Sequence, residues 1–397
     1  MSEENKEIET NKEKKHSKCR IFASCFCVLL LFISIFCCSC TNEKHNVFVK
    51  GPDMDYFHNG PAVLLDDGNV LVIGGNTKHA EIYDYKKNKF ELSGEMNFKR
   101  NYGAAVSLLK NGNVLITGGA SLADITSKSF FSIPEHSELY NINTKKFLLN
   151  SKMRIPRIAH DSLLADNGNV LIFGGWNRAK KQVLEIEEYD IKNNKFNIIG
   201  KLPSNIISYY GTVKIKNNKY IIAGADSTQK GKSNAYKIWI FDYNKKSIYE
   251  FKPSIDNNAD SQIYIKNRNF PEHIHSDMDK NFVVVVYNNK DKIQNISLIF
   301  SNKFYDTLIK LDDSEVLSIG GLIMDGWGGK ITNTIEIFKF APLNINTYTS
   351  NLSYKRCKHN SIKLKNNKIL ILGGYNKTSP YEYKKSSQVL SVELLDE

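Results

Sequence analysis

Six times along this chain an apolar run ends in a pair of small residues. Val70–Ile73 leads into Gly74-Gly75, Val114–Thr117 into Gly118-Gly119, and Val170–Phe173 into Gly174-Gly175. Tyr220–Ala223 leads into Gly224-Ala225, Val316–Ile319 into Gly320-Gly321, and Ile369–Leu372 into Gly373-Gly374. The steps between them are 44, 56, 50, 96 and 53 residues. The double-length step implies a weakened copy in the middle. A period of about 50 residues means one supersecondary unit repeated about an axis, the pattern of a propeller or a solenoid.

Each copy reads as four short strands. In the second, Gly103–Leu109 is a first strand, and Asn111-Gly112 then forms a tight turn into the apolar run. An Asn-Gly pair between apolar runs favours a hairpin, because a type I′ turn needs positive φ at both central residues. Asp67-Gly68, Asn167-Gly168, Asn217-Asn218, Asp312-Asp313 and Asn366-Asn367 occupy the same place. A third strand carries an acidic-aromatic or acidic-aliphatic stretch: Glu81-Ile82-Tyr83, Glu138-Leu139-Tyr140, Glu188-Tyr189, Glu336-Ile337-Phe338 and Glu393-Leu394. The fourth copy has Trp239-Ile240-Phe241 there. A Lys/Asn turn then leads to a fourth strand that opens on an aromatic, with a large apolar residue six positions on: Phe48 to Met54, Phe90 to Met96, Phe147 to Met153 and Phe196 to Leu202.

This pattern resembles the kelch repeat, in the bacterial form shared with the central domain of galactose oxidase. The resemblance runs from Phe48 to Glu397. It implies an all-β fold, a kelch-type β-propeller of seven four-stranded blades, with six as the alternative. The fifth copy, near Ser247 to Phe304, lacks a glycine pair and offers Ile248-Tyr249, Ile263–Ile265, Val283–Val286 and Ile296–Ile299 as strands. The chain opens on a fourth-type strand and closes on a third-type strand, so the N-terminal strand is expected to complete the last blade.

Residues 1–40 read as a leader, 41–45 as a short linker and 46–397 as the propeller. Basic residues up to Arg20 precede 19 uncharged residues, Ile21 to Ser39, and then Cys40. A basic region, an apolar stretch and a small residue at a boundary describe a secretory signal. Ser39-Cys40 resembles the end of a bacterial lipoprotein signal, with Cys40 as the lipidated residue, although Cys37-Cys38 departs from the usual leucine and small residue. An uncleaved membrane anchor is the alternative. Either places the propeller in the cell envelope, membrane-anchored, on the extracytoplasmic side. Six of the seven cysteines lie in this leader, so a disulfide within the propeller is excluded.

Lys plus Arg total 54 against 42 for Asp plus Glu, a net charge of +12. The excess is lysine in tight turns (Lys86-Lys87, Lys145-Lys146, Lys245-Lys246) rather than a basic stripe interleaved with aromatics, so nucleic acid is not an expected partner. Weak attraction to an anionic membrane surface fits this distribution better.

The repeat places the Asn-Gly turns and the Lys-rich turns on one face, and the long variable loops on the other. Arg100, Arg157 and Arg356 each follow Met96, Met153 or Leu352 by four residues, and His160 and His359 follow three further on. Planar guanidinium groups suit carboxylate or sulfate ligands. Trp176, Trp327 and Tyr375 stand in the loops after the doublets. These eight residues form the candidate ligand-binding set. In many kelch repeats, however, the arginine and histidine bond to backbone between blades, and that reading stays open. Galactose oxidase raises copper-radical chemistry, but the lone Cys357 falls at the start of the last blade and no Tyr-His dipeptide occurs. No phosphate loop, nucleophile elbow or zinc signature is present, so neither metal nor cofactor is expected. The expectation is a non-catalytic, monomeric, tethered propeller that binds a protein or glycan. The alternative is a periplasmic carbohydrate-active enzyme of the sialic acid epimerase kind.

Overall fold

The computed structural model describes residues 48–395, apart from 57, 59, 76, 101, 122–131, 227–236, 253–259, 267–281, 290–291, 301–302, 304–305, 313–314, 326–327, 342–343, 375 and 377–391. The described residues are strands, turns and loops without a helix, and none of them could cross a membrane as one. The leader, the linker, Cys40, Trp327 and Tyr375 lie outside them.

The strands assemble into separate antiparallel sheets in chain order. The first contains Ala62–Leu64, Val70–Ile73, His79–Asp84 and Lys89–Glu95, and the second Tyr102–Leu108, Val114–Ala120, His136–Asn141 and Lys146–Lys152. The third contains Asp161–Leu164, Val170–Phe173, Glu185–Asp190 and Lys195–Lys201. The fourth contains Ile206–Ile215, Lys219–Asp226, Lys237–Asp242 and Ser247–Glu250. Next comes a three-stranded sheet, Asp260–Lys266, Phe282–Asn289 and Lys292–Phe300. A sixth pairs Thr307–Lys310, Glu315–Ile319, Thr334–Ala341 and Asn344–Asn351, and the last holds Asn360–Lys363, Ile369–Leu372 and Val392–Leu395. Phe48–Lys50 is the fourth strand of that last sheet, pairing with Val392–Leu395. The first described strand thus closes the last sheet, as expected. Ser247–Glu250 corrects the expectation that Ile248-Tyr249 belongs to the fifth copy, because it pairs with Lys237–Asp242 and completes the fourth sheet instead.

The first strand of each sheet lies beside the first strand of the next, and Asn360–Lys363 lies beside Ala62–Leu64, which closes the circle. This is a β-propeller. The second strands are its core. Val70–Ile73, Val170–Phe173 and Ile369–Leu372 are buried on both faces, so they read as continuous apolar runs rather than alternating ones. Their side chains pack between neighbouring sheets: Leu71 and Ile73 with Val114 and Ile116, and Leu115 with Val170 and Ile172. Closing the ring leaves only the outer strands as sheet edges.

Candidate functional site

The glutamates of the third strands organise the loop-rich face. Glu81 is fully buried and accepts the backbone N–H groups of Asp55 and Tyr56 at 2.9 and 3.0 Å. Its third partner is His58 Nε2 at 2.7 Å, while His58 Nδ1 faces the Gly74 carbonyl at 2.8 Å. Both ring nitrogens therefore face oxygen atoms of the same sheet. Burial pushes the Glu81 carboxyl up, but the bonds from His58, Asp55 and Tyr56 together hold it below its ordinary range.

The second sheet repeats the device with arginine. Glu138 accepts from the Asn97 N–H at 2.6 Å and from Arg100 Nε at 3.0 Å. The remaining Arg100 nitrogens donate to the carbonyls of Gly118 and, at 2.8 Å, His136. In the third sheet Glu187 takes the N–H groups of Arg154 and Ile155 at 2.8 and 3.0 Å and a short bond from Arg157 Nη2. Arg157 Nη1 donates to the Gly174 and Glu185 carbonyls, both at 3.0 Å. In the last sheet Arg356 Nη1 reaches the Gly373 carbonyl at 3.1 Å. In the first three sheets the device is a latch: a glutamate grips the loop that enters the sheet, and a histidine or arginine ties that carboxylate to the first glycine of the doublet. The loop's own backbone binds the preceding sheet, through Gly119 N–H to Arg157 O at 3.1 Å and Gly321 N–H to Arg356 O at 2.8 Å.

These contacts bear directly on the expected ligand set. Arg100, Arg157 and Arg356 are 1%, 0% and 0% exposed, so they lie beneath the loop-rich face and do not line an open mouth. The donors of Arg100 and Arg157 meet carboxylate and backbone acceptors, and Arg356 Nη1 meets a backbone carbonyl, the role that the sequence left open as the alternative to anion binding. His160 and His359 are buried as well. Each bonds through Nε2 to a threonine of the preceding sheet, Thr117 at 2.8 Å and Thr307 at 2.9 Å. Cys357, two positions before His359, is a small buried residue.

His359 sits among cations. Burial, then the charges of Arg356 and Lys303, hold its pKa well below the ordinary histidine value. A histidine that the fold keeps neutral stabilises fully above its unfolded pKa, near 6.5, and that stability is lost as pH falls below it. Stability is expected to fall by up to about 1.4 kcal/mol per pH unit below 6.5 from this residue alone. Urea titrations between pH 8 and 5 should show this slope reduced in His359→Gln, whose amide retains a bond to Thr307. An unchanged slope would remove His359 as its source.

Sequence reading missed two parts of the latch. Glu187, not Glu188, holds Arg157. The third strand alternates faces, and Glu188 points to the other side, where it accepts from Tyr243 and Asn169. In the sixth sheet Lys303 replaces arginine. It is fully buried, 3.7 Å from Glu336 and 3.5 Å from the carbonyls of Ser318 and Thr334, and burial lowers its pKa. Lys303 stands four residues after Ile299, the spacing that marks the arginines. The fourth sheet dispenses with charge. Ile206 and Trp239 fill the arginine and glutamate positions within one apolar cluster. Pro203 stands where the loop would otherwise present an N–H group to the carboxylate, so one donor is removed along with its acceptor.

Above the latches, the second and third sheets share a packed platform. Ser121 and Ser132 pair across the base of the second sheet's insertion, and Ile133 and Ile158 pack with Ala120 against Trp176. Trp176 is half-buried, and its backbone bridges Ile158 and Gln182. Arg178 Nη2 donates to the Ile133 carbonyl at 2.6 Å while its side chain stays more than half exposed, near Glu135 and Lys152. In the sixth sheet a two-stranded hairpin, Leu322–Asp325 with Gly328–Ile331, rises from the same face with Ile323 exposed.

No protein-family model and no curated protein matches the chain. Solved structures do. One described as a novel fungal alcohol oxidase with catalytic diversity among the AA5 family, in complex with copper, superposes with a TM-score of 0.59 at 14% identity, covering 88% of this chain and 75% of that one. The structure of YjhT superposes with a TM-score of 0.51 at 12% identity, covering 87% and 95%. The shared property is the β-propeller fold. For copper, the described residues bring no three His, Cys, Asp or Glu side chains together in a metal-holding group.

Proposed function

We propose that this chain is an exported, membrane-tethered, non-catalytic propeller of seven kelch-type blades, which binds a protein or a glycan through its loop-rich face. The blade count is supported by the three-stranded sheet taking its turn between the fourth and sixth sheets. One observation carries the binding role. The described turns on one face are short and uniform, while on the other the described bases of the longer loops pack on one another at Ile133, Ile158 and Trp176. A platform held in place before its ligand arrives loses less entropy on binding. Variable loops on a rigid scaffold are where recognition concentrates. Because the arginines beneath are consumed by the latches, recognition falls to exposed groups of the platform, Arg178 foremost.

The test is a glycan array and an envelope pull-down with the protein from Lys44 to Glu397. Arg178→Glu is expected to abolish capture of whichever ligand is found and to lower the melting temperature by no more than a few degrees, the loss of its bond to the Ile133 carbonyl and of an exposed ion pair with Glu135. Capture that survives this reversal moves the site off the platform. Turnover of a sugar without a protein partner would replace the binding reading with the carbohydrate-active one.

A further inference from the structure

The outermost strands are the free edges of the sheets, and most of them are guarded. A free edge offers a row of unpaired N–H and C=O groups to any other strand, and lysines, bulges and shortness are the usual defences. In the second and third sheets the outermost strands begin and end on exposed lysines, Lys146 and Lys152, Lys195 and Lys201. A bulge also interrupts the pairing of third with fourth strands in each of the first three sheets. The fourth and last sheets end on short strands, Ser247–Glu250 and Phe48–Lys50. The fifth sheet's outermost described strand opens on Lys292, and a bulge interrupts its pairing too.

The sixth sheet has none of these defences. Its outermost strand, Asn344–Asn351, runs for 8 residues without a charge or a proline. It pairs with Thr334–Ala341 throughout, with no register shift. Asn346 and Asn351 stand at the register positions of Lys146 and Lys152, one residue closer together because the bulge is missing. The Leu352 N–H donates to the Asn333 carbonyl at 2.7 Å. The alternation of an antiparallel ladder then turns the N–H and C=O groups of Ile345, Thr347, Thr349 and Asn351 away from the sheet. No described strand pairs with that side. Isoleucine, threonine and tyrosine, which make up half of this strand, also favour extended backbone.

We infer that this edge is a dimer interface, at which Asn344–Asn351 of two copies pair antiparallel and join two four-stranded sheets into one. The charge pattern selects a second copy as the occupant. About a two-fold axis normal to the sheet, a strand meets itself in reverse. The same pairing in the second and third sheets would set Lys146 opposite Lys152 and Lys195 opposite Lys201, and like charges directly opposite are destabilising. Asn344–Asn351 brings no such pair, and it carries no charge with which to recognise a charged partner. An isologous contact also saturates itself, because each copy uses its unguarded edge once and assembly stops at two. The dimer takes the place of the monomer expected from the sequence, and it is independent of what the loop-rich face binds.

The experiment is amide hydrogen exchange of the full chain across about 1–100 μM, the range in which a small interface dissociates. Exchange over Asn344–Asn351 should slow roughly tenfold at the upper end, while Lys146–Lys152 and Lys195–Lys201 stay unchanged. Asn346→Lys/Asn351→Lys, which restores the guards of the second sheet, should remove the concentration dependence. Asn346→Glu/Asn351→Glu should do the same alone. An equal mixture of the two variants should slow again, since each lysine then meets a glutamate of the other copy. Thr349→Pro removes one outward N–H and spares the inner ladder, so it should also remove the effect and decides the matter if the charged variants do not fold. Exchange over Asn344–Asn351 that ignores concentration overturns the inference, as does association of the full chain that leaves this strand unprotected. Slowing that survives the lysine variant, or growth beyond two copies, overturns it too. Protection of the strand by a synthetic Asn344–Asn351 peptide, in a chain that itself stays monomeric, would assign the edge to a foreign strand instead.

Discussion

Glu187→Ala should lower the unfolding free energy by about 3–5 kcal/mol, the cost of leaving a buried charge without its counter-ion. The structure shows why the loss falls at the upper end of what single substitutions do. Arg157 is fully buried, and the two N–H groups of Arg154 and Ile155 lose their acceptor with it. Each orphaned donor adds a desolvation cost of about 1–3 kcal/mol unless the loop moves to reach water. Glu188→Ala is the register control. Its carboxylate lies on the other face of the same strand and is partly exposed, so a loss of about 1 kcal/mol or less is expected. The two variants are compared by urea unfolding. Equal losses would mean that the neighbours share the load and that no latch exists. Transplanting the fourth sheet's apolar solution, Glu187→Trp with Arg157→Ile, should remain destabilised. The third sheet keeps Arg154 where the fourth has Pro203, so its donor stays unpaired.

Much of this architecture was legible in the chain. The glycine doublets, the turn residues that follow each first strand and the spacing from Phe90 to Met96 locate sheets by purely local chemistry, and the local rules agree with the ring. What the sequence hid is depth. Arg157 looks the same in one dimension whether it faces solvent or a carboxylate, because burial depends on which residue of a neighbouring strand comes opposite. A slip of one residue exchanges the two faces of a strand, and that slip made Glu188 look like the repeat's acid. The pattern Glu-x-Tyr, present in Glu81-Ile82-Tyr83 and Glu138-Leu139-Tyr140, points to Glu187 once it is applied strictly. Lys303 and the Ile206–Trp239 pair escaped for another reason. They preserve position while changing chemistry, so a search keyed to arginine passes over them. Ser247–Glu250 was misassigned because an isolated aromatic strand carries no mark of which sheet it completes.

The glycine of the doublet offers the sharpest test that latch and ring are one device. Gly118 has φ of +53°, and a Cβ placed on it would lie 2.1 Å from the Arg157 carbonyl oxygen and 2.5 Å from His160 Cε1. That carbonyl is already the acceptor for Gly119 N–H, so the loop of the third sheet cannot retreat without breaking the bond between sheets. Gly118→Ala should therefore combine a left-handed backbone penalty of about 1–2 kcal/mol with an overpacking cost of about 1–3 kcal/mol. It should also couple to the latch. Once Glu187→Ala has loosened the Arg157 loop, adding Gly118→Ala should cost measurably less than it does in the wild-type background, since the obstructing carbonyl is then free to move. Gly200→Ala is the control. Its φ is ordinary, and its nearest neighbours would stand 3.5 Å or more from the new Cβ, so an effect within about 0.5 kcal/mol is expected. Strict additivity of Gly118→Ala and Glu187→Ala in a double-mutant cycle would separate the doublet from the latch, and each sheet would then hold its neighbour by packing alone.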